Sequence, residues 1–140
     1  MIVLDTNVVS ELMRPTPDPA VVAWFSGLDR SAVFLNAVTN YEIRFGIERL
    51  QNGERKDRLF STWSALLITF LPGQVLPLDH DAAEQAASIK AFLIARGGNR
   101  DICDLLISGI AVRHGATIAT RNVRHFEGLQ IDIIDPWAAS

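Results

Sequence analysis

The chain has 140 residues, a formal net charge of −3, 49% hydrophobic residues and one cysteine, which suits one domain spanning residues 1–140 with a core of its own. It has no apolar run near the roughly 20 residues of a membrane span and no basic segment leading into an apolar signal core; the lone Cys103 excludes an internal disulfide and suits a reducing cytosol. The acidic balance gives no overall pull on nucleic acid, so binding a polyanion requires a local basic rim or bound cations.

Ile2-Val3-Leu4 reads as a short buried strand that ends at Asp5, with Thr6 and Asn7 next. Open parallel sheets carry ligand chemistry at the carboxyl ends of their strands, so Asp5 is a candidate metal ligand. Asp and Asn are equally the usual N-cap residues, so Asp5 and Asn7 also read as the start of a helix. Val8 to Arg14 is expected to be that helix, stopped by Pro15, Pro17 and Pro19. Asp18 caps a second helix with Pro19 at its first position. Val33 to Leu35 reads as a strand, Val38 to Leu50 as a helix stopped by Asn52-Gly53, and Arg55 to Phe70 as a further helix ended before Pro72-Gly73. Val75-Leu76 is a short strand. Asp79 to Arg96 is a long helix closed by Gly97-Gly98. Ile102 to His114 is a helix ending at Gly115, and Thr117 to Ala119 and Ile131 to Ile134 are the last strands. Short apolar strands alternating with helices predict an α/β fold, a three-layer α/β/α sandwich around a mainly parallel sheet, with more helix than strand.

Three acids stand where a structural account is strained. Glu42 has Val38, Thr39, Phe45 and Gly46 as its helical neighbours and no basic partner. Burying such a charge is costly unless a cation pairs with it. Asp104 sits in the first turn of a helix that is apolar nearly all round, one turn from Asp101 on the same face. The positive end of the helix favours an acid there, which accounts for one of them. Thr120-Arg121-Asn122 is another polar cluster just past a strand end, and also reads as a turn. Asp79 and Asp81 read as caps. His80, His114 and His125 share no zinc-like spacing, and no glycine-rich phosphate loop precedes a helix. Cys103 reads as a small buried apolar residue, a nucleophile only if a histidine comes near. Trp24, Phe25, Phe45, Phe60, Trp63 and Phe70 exceed what one small core needs, so a helix-pair groove is a candidate seat for an amphipathic segment.

Taken in order, these motifs resemble a known family. Ile2-Val3-Leu4-Asp5-Thr6-Asn7-Val8 looks like the opening strand of a PIN-domain ribonuclease. Ala37 to Gly46, with Glu42, resembles its second acidic motif, and Asp104-Leu105-Leu106-Ile107-Ser108 its third. Ala119-Thr120-Arg121-Asn122 with His125-Phe126 resembles the fourth, and Asp135-Pro136-Trp137 a frequent ending. The order covers nearly the whole chain and is most similar to VapC/FitB-like toxins of toxin–antitoxin pairs.

The resemblance implies a Mg²⁺- or Mn²⁺-dependent endoribonuclease. It places Asp5, Glu42 and Asp104 as catalytic acids, with Asp5 and Asp104 as direct metal ligands. Thr6, Asn7, Asp101, Thr120 and Asn122 are then supporting residues. The chain departs from the fullest pattern at Asn122 and His125, where relatives often carry acids, and this leaves one metal or two. A basic rim is expected from among Arg14, Arg44, Arg49, Arg96, Arg100, Arg121 and Arg124, with Arg121 and Arg124 nearest the site as RNA contacts. The resemblance further implies a small DNA-binding antitoxin as partner, a toxin homodimer and a cytoplasmic location. Three other readings compete: a PIN-fold interaction protein with weak or no catalysis, a structure-specific DNA nuclease, and a phosphoacceptor using Asp5. Only Lys56 and Lys90 are lysines, and neither lies near a late strand end, which disfavours the phosphoacceptor.

Overall fold

A computed structural model describes residues 1–138; Ala139 and Ser140, the end of the expected domain, lie outside the described residues. Five parallel strands form the sheet, β1 (Ile2–Leu4), β2 (Val33–Asn36), β3 (Val75–Leu76), β4 (Thr117–Ala119) and β5 (Ile133–Ile134), in the spatial order β3-β2-β1-β4-β5. The helices are α1 (Thr6–Leu12), α2 (Pro19–Ser26), α3 (Ala37–Glu48), α4 (Glu54–Ala65), α5 (His80–Ala95) and α6 (Ile102–His114).

Alternate strand residues point to opposite faces, and this divides the core in two. Leu4, Val33, Leu35 and Ala119 pack with Val8, Val21, Ile43 and Trp63 on the side of α1 to α4. Val3 and Ile118 pack with Ala82, Ile107 and Ile110 on the side of α5 and α6. The result is the expected three-layer sandwich, with every strand pair parallel. No helix among the described residues is long and apolar enough to cross a membrane.

Element boundaries move for identifiable reasons. Helix α1 begins at Thr6 rather than Val8, because the Asp5 carboxylate accepts the Thr6 N–H and its carbonyl accepts the N–H of Val8 and Val9. Helix α3 begins at Ala37, since the Asn36 side chain accepts the Thr39 N–H as an N-cap. The helix expected to run to Phe70 changes pitch at Leu66, and Leu66–Phe70 form a π-helical turn closed by Leu71 N–H on the Leu66 carbonyl. A regular α-helix would set Leu71 about 140° around the axis from Leu66; the wider turn lets both reach the first core. Strand β5 starts at Ile133, because the Ile131 N–H is spent locally on the Leu129 carbonyl.

Of the aromatic residues singled out above, Trp63 is buried in the core, Trp24 and Phe25 are partly buried against it, and Phe45, Phe60 and Phe70 are exposed. Arg44 lies over the Phe60 ring and Arg30 over Phe70.

Helices α5 and α6 meet through Gly109, where an added Cβ would lie 2.4 Å from the Ala82 carbonyl oxygen and 2.8 Å from the Ala86 methyl. Backbone cannot yield as a flexible side chain would. Gly109→Ala is therefore expected to destabilise the fold by about 2 kcal/mol or more, as overpacking does, read as a lower midpoint in urea unfolding.

Candidate active site

The chain builds the sheet outward from β1 through β2 to β3, then crosses back to lay β4 on the other side of β1. In such a sheet the crevice lies at the carboxyl ends of the two strands where the direction reverses. Here those strands end at Asp5 and Thr120. The Asp5 N–H bonds the Ala119 carbonyl at 2.9 Å, so the pairing of β1 with β4 carries on into the site.

Asp5 is 4% exposed, and its carboxylate accepts three hydrogen bonds from neutral donors. One oxygen accepts the Thr6 N–H at 2.8 Å; the other accepts the Thr120 hydroxyl at 2.8 Å and the Asn7 amide at 3.1 Å. The Thr120 hydroxyl in turn accepts from Asn7 Nδ2 and from the Asn122 N–H, which uses its one proton and both lone pairs. Asn7 Oδ1 accepts the Arg121 N–H at 3.1 Å and ties the loop after β4 to α1. Asp5 is thus both the N-cap of α1 and a wall of the crevice, so the two readings of this residue hold together.

A second polar chain positions Glu42. Thr6 donates its hydroxyl to Glu42 Oε1 at 2.7 Å. With that proton used, the 3.0 Å contact between Thr6 and Thr39 makes Thr39 the donor. Thr39 accepts from Asn36 Nδ2, which also reaches the Leu4 carbonyl at 3.0 Å. Asn36 and Thr39 are fully buried and belong to the framework of the site.

The third acid comes from α6. Asp101 caps this helix through the Cys103 N–H, and Asp104 in its first turn faces the crevice, where His125 Nδ1 lies 2.9 Å from its Oδ2. His125 is held by a short 3₁₀ turn, Val123–Phe126, which Arg100 fastens to the start of α6 by bonding the His125 and Glu127 carbonyls. Asp5, Glu42, Asp101, Asp104, Asn122 and His125 line one open cleft of about 520 Å³, with Ser10 at its edge.

Burial pushes the Asp5 carboxyl above its ordinary pKa, against the bonds from Thr120 and Thr6 and the nearby His125. Asp104 is also raised, first by burial, with Asp5 and Asp101 pushing it further and His125 opposing. The Cys103 thiol is pushed up to about 11 by burial and by the charges of Glu42, Asp101 and Asp104. Among the described residues no histidine hydrogen-bonds this thiol, so the structure gives the nucleophile reading no support.

The donor set suits a hard cation. The acids offer oxygen only, and among the described residues no Lys or Arg pairs with Asp5, Glu42 or Asp104. Among those residues no group of three or more acid, His or Cys side chains is placed to hold an ion, so protein ligands to an ion here would be fewer than three. An open set of this kind fits an ion that keeps several waters, as Mg²⁺ does, and does not fit the closed cage of structural zinc.

The residues expected at the site are therefore brought together: Asp5, Thr6, Asn7, Glu42, Asp101, Asp104, Thr120 and Asn122 share the cleft or its immediate hydrogen bonds. Of the arginines, Arg14 pairs with Glu11, Arg44 with Glu48, Arg96 lies over Phe92, and Arg100 fastens the 3₁₀ turn. Arg121 and Arg124 line an adjoining cavity of about 370 Å³ that shares Asn122 and His125 with the cleft. Sequence reasoning gave no role to Asn36, Thr39 or Ser10, and it placed His125 in the fourth motif only as a departure from the acids of relatives. Asn36 and Thr39 carried a signal, a strand ending in Asn with Thr three residues on, which is the N-cap spacing. The contact of His125 with Asp104 carried no signal, since it is made across the fold.

The PIN domain family model matches residues 2–129. The chain is 39% identical to VapC ribonuclease Y4jK of Sinorhizobium fredii over 98% of each chain, and 35% identical to toxin FitB of Neisseria gonorrhoeae over 98% of this chain and 99% of the other. Among solved structures it resembles a chain of FitAB bound to the IR36 DNA fragment, with a TM-score of 0.91, 34% identity, and coverage of 100% of this chain and 98% of that one. With the family model matched over nearly the whole chain and two relatives above 30% identity, the chain belongs to the PIN-domain family, among its VapC- and FitB-like members.

Proposed function

We propose that this protein is a divalent-metal-dependent endoribonuclease that acts as the toxin of a toxin–antitoxin pair. The observation that carries the reading is the meeting of Asp5, Glu42 and Asp104, from distant parts of the chain, in one cleft where none of them pairs with a lysine or arginine among the described residues and only His125 approaches, at Asp104. Asp5 and Asp104 would hold Mg²⁺ or Mn²⁺, with Glu42 beside them. When bound, the ion lowers the pKa of a water and offsets charge on the scissile phosphate. Thr120, Thr6 and Asn7 fix the Asp5 oxygens, and Thr6 fixes Glu42. With Asn122 neutral, the acid count suits one ion rather than two. Arg121 and Arg124, on the exposed loop after β4, would draw the RNA backbone to an otherwise acidic pocket.

The partner reading follows from the relatives. FitAB is a complex bound to DNA, and another relative is VapBC of Salmonella typhimurium, also bound to DNA. We infer for this chain a small DNA-binding antitoxin, a toxin homodimer and work in the cytoplasm.

The direction of the pKa shifts links function to stability. A carboxyl raised in the folded state costs nothing below the unfolded pKa of about 4. As pH rises past that value the unfolded chain ionises first, and the native state bears the full penalty above the folded pKa. Asp5 and Asp104 therefore destabilise the metal-free protein at neutral pH, and a bound cation relieves this.

Two outcomes are expected. Asp5→Asn and Asp104→Asn each lower cleavage of a single-stranded RNA oligonucleotide by about a hundredfold or more in Mg²⁺, excess EDTA abolishes parental cleavage, and a matched DNA oligonucleotide stays intact; parental rates in either variant refute the three-acid site. In metal-free buffer at pH 7, Asp104→Asn melts higher than the parent by calorimetry, and the difference closes below about pH 4. Added Mg²⁺ raises the Tm of the parent and leaves that of Asp104→Asn nearly unchanged.

A further inference from the structure

Beyond Glu42 the cleft does not end. A groove of about 290 Å³ runs on between α1, α3 and α4, and Thr6, Ser10 and Glu42 line both. Its walls are apolar, built from Ile43, Ile47 and Leu59, and Arg55 stands on it as its one cation. Arg55 is exposed, and among the described residues its guanidinium makes no ion pair or hydrogen bond.

Gly46 lies in the same groove, one helical turn after Glu42. A glycine inside a helix weakens it relative to alanine, so it needs a reason. Packing supplies none: an added Cβ at Gly46 meets nothing within 4 Å, whereas one at Gly109 strikes the backbone of α5. Conformation supplies none either, because Gly46 is not among the glycines with positive φ. What glycine does at this position is keep the groove open.

We propose that the groove is a nucleotide subsite. One nucleotide flanking the cleaved bond lays its base against Ile43, Gly46 and Leu59 and sets a phosphate beside Arg55, which makes these residues determinants of sequence preference. The inference rests on the ribonuclease reading of the cleft. Charge along the trench fits a single strand: Arg121 and Arg124 adjoin one end of the acidic cleft, and Arg55 stands beyond the other. An occupant that continues from a phosphate at the acids is the next nucleotide of the same chain. Apolar walls with a free guanidinium match a nucleotide, which stacks its base and pairs its phosphate.

The test uses the full chain, a randomised single-stranded RNA pool, and the variants Gly46→Leu, Gly46→Ala and Arg55→Ala. Binding is read by anisotropy in Ca²⁺ and cleavage by sequencing of products in Mg²⁺. Gly46→Ala and Gly46→Leu are expected to melt no lower than the parent. Gly46→Leu weakens RNA binding and raises KM about tenfold, the scale of apolar pocket discrimination, and flattens base preference at one position beside the cut. Arg55→Ala raises KM and reduces the salt dependence of binding, with kcat little changed. Folded Gly46→Leu and Arg55→Ala variants with parental KM and base preference overturn the subsite, and loss of antitoxin binding alone in those variants assigns the groove to a protein segment instead. If the parent binds RNA through Gly46 and Arg55 but cuts none, the catalytic reading fails and the subsite stands; if it neither binds nor cuts, both fall.

Discussion

Asp5 puts a carboxylate at the end of the central strand, where the sheet shields it from water and no lysine or arginine among the described residues pairs with it. Three neutral donors bond its oxygens, and each of those donors comes from an element that must be placed correctly. The Thr6 N–H requires α1 to start at once after β1. The Thr120 hydroxyl requires β4 to lie beside β1 in register, Leu4 against Ala119. The Asn7 amide, shared between Asp5 and Thr120, requires the loop after β4 to fold back onto α1. Losing any one of them would leave a buried acid under-solvated, which is a costly error. The cleft and the centre of the fold are in this sense one construction.

The other acids depend on that centre by separate routes. Glu42 is reached through buried hydroxyls and an amide, Asn36 to Thr39 to Thr6, each with its donors and acceptors used. A network satisfied in full holds one geometry. Asp104 depends on the placement of α6, which is apolar nearly all round and sits against α5 with only a glycine between them. The opposite bank is set by Arg100, whose bonds to main-chain carbonyls hold His125 against Asp104. Arg100 therefore serves the site as a structural clasp, although its charge alone made it a candidate for the rim.

Much of this was legible in the sequence, because local signals agreed with one another. Apolar triplets ending in polar residues marked β1 and β4, caps marked the helix starts, and an acid without a basic neighbour marked Glu42 and Asp104. What escaped had no local signature. The π-helical turn at Leu66–Phe70 arises because Leu66 and Leu71 must reach the same core. The shortened β5 depends on how the Ile131 N–H is spent. His125 gains its contact only when the fold brings residues 104 and 125 together. The sequence does not say which of its aromatic residues are core, and only the fold tells that Trp63 is inside and that Phe45 and Phe60 are out.

Features that work against stability are informative because packing selects against them. Two of them gather along one trench, carboxyls with pKa raised by burial and a helical glycine with empty space where its side chain would be, and the exposed Arg55 stands beside them. Elsewhere a buried acid and a helical glycine are accounted for by structure. Glu11 is buried but bonds Arg14 and the Asp18 N–H, and Gly109 is demanded by close contact between helices. A fold under selection for stability alone would carry alanine at residue 46 and a neutral side chain at residue 104. That these lie together, acids in the cleft, Arg121 and Arg124 on the cavity adjoining it and Arg55 on the groove that shares Glu42 with it, is the pattern expected of a surface shaped to a flexible polyanion held around a cation.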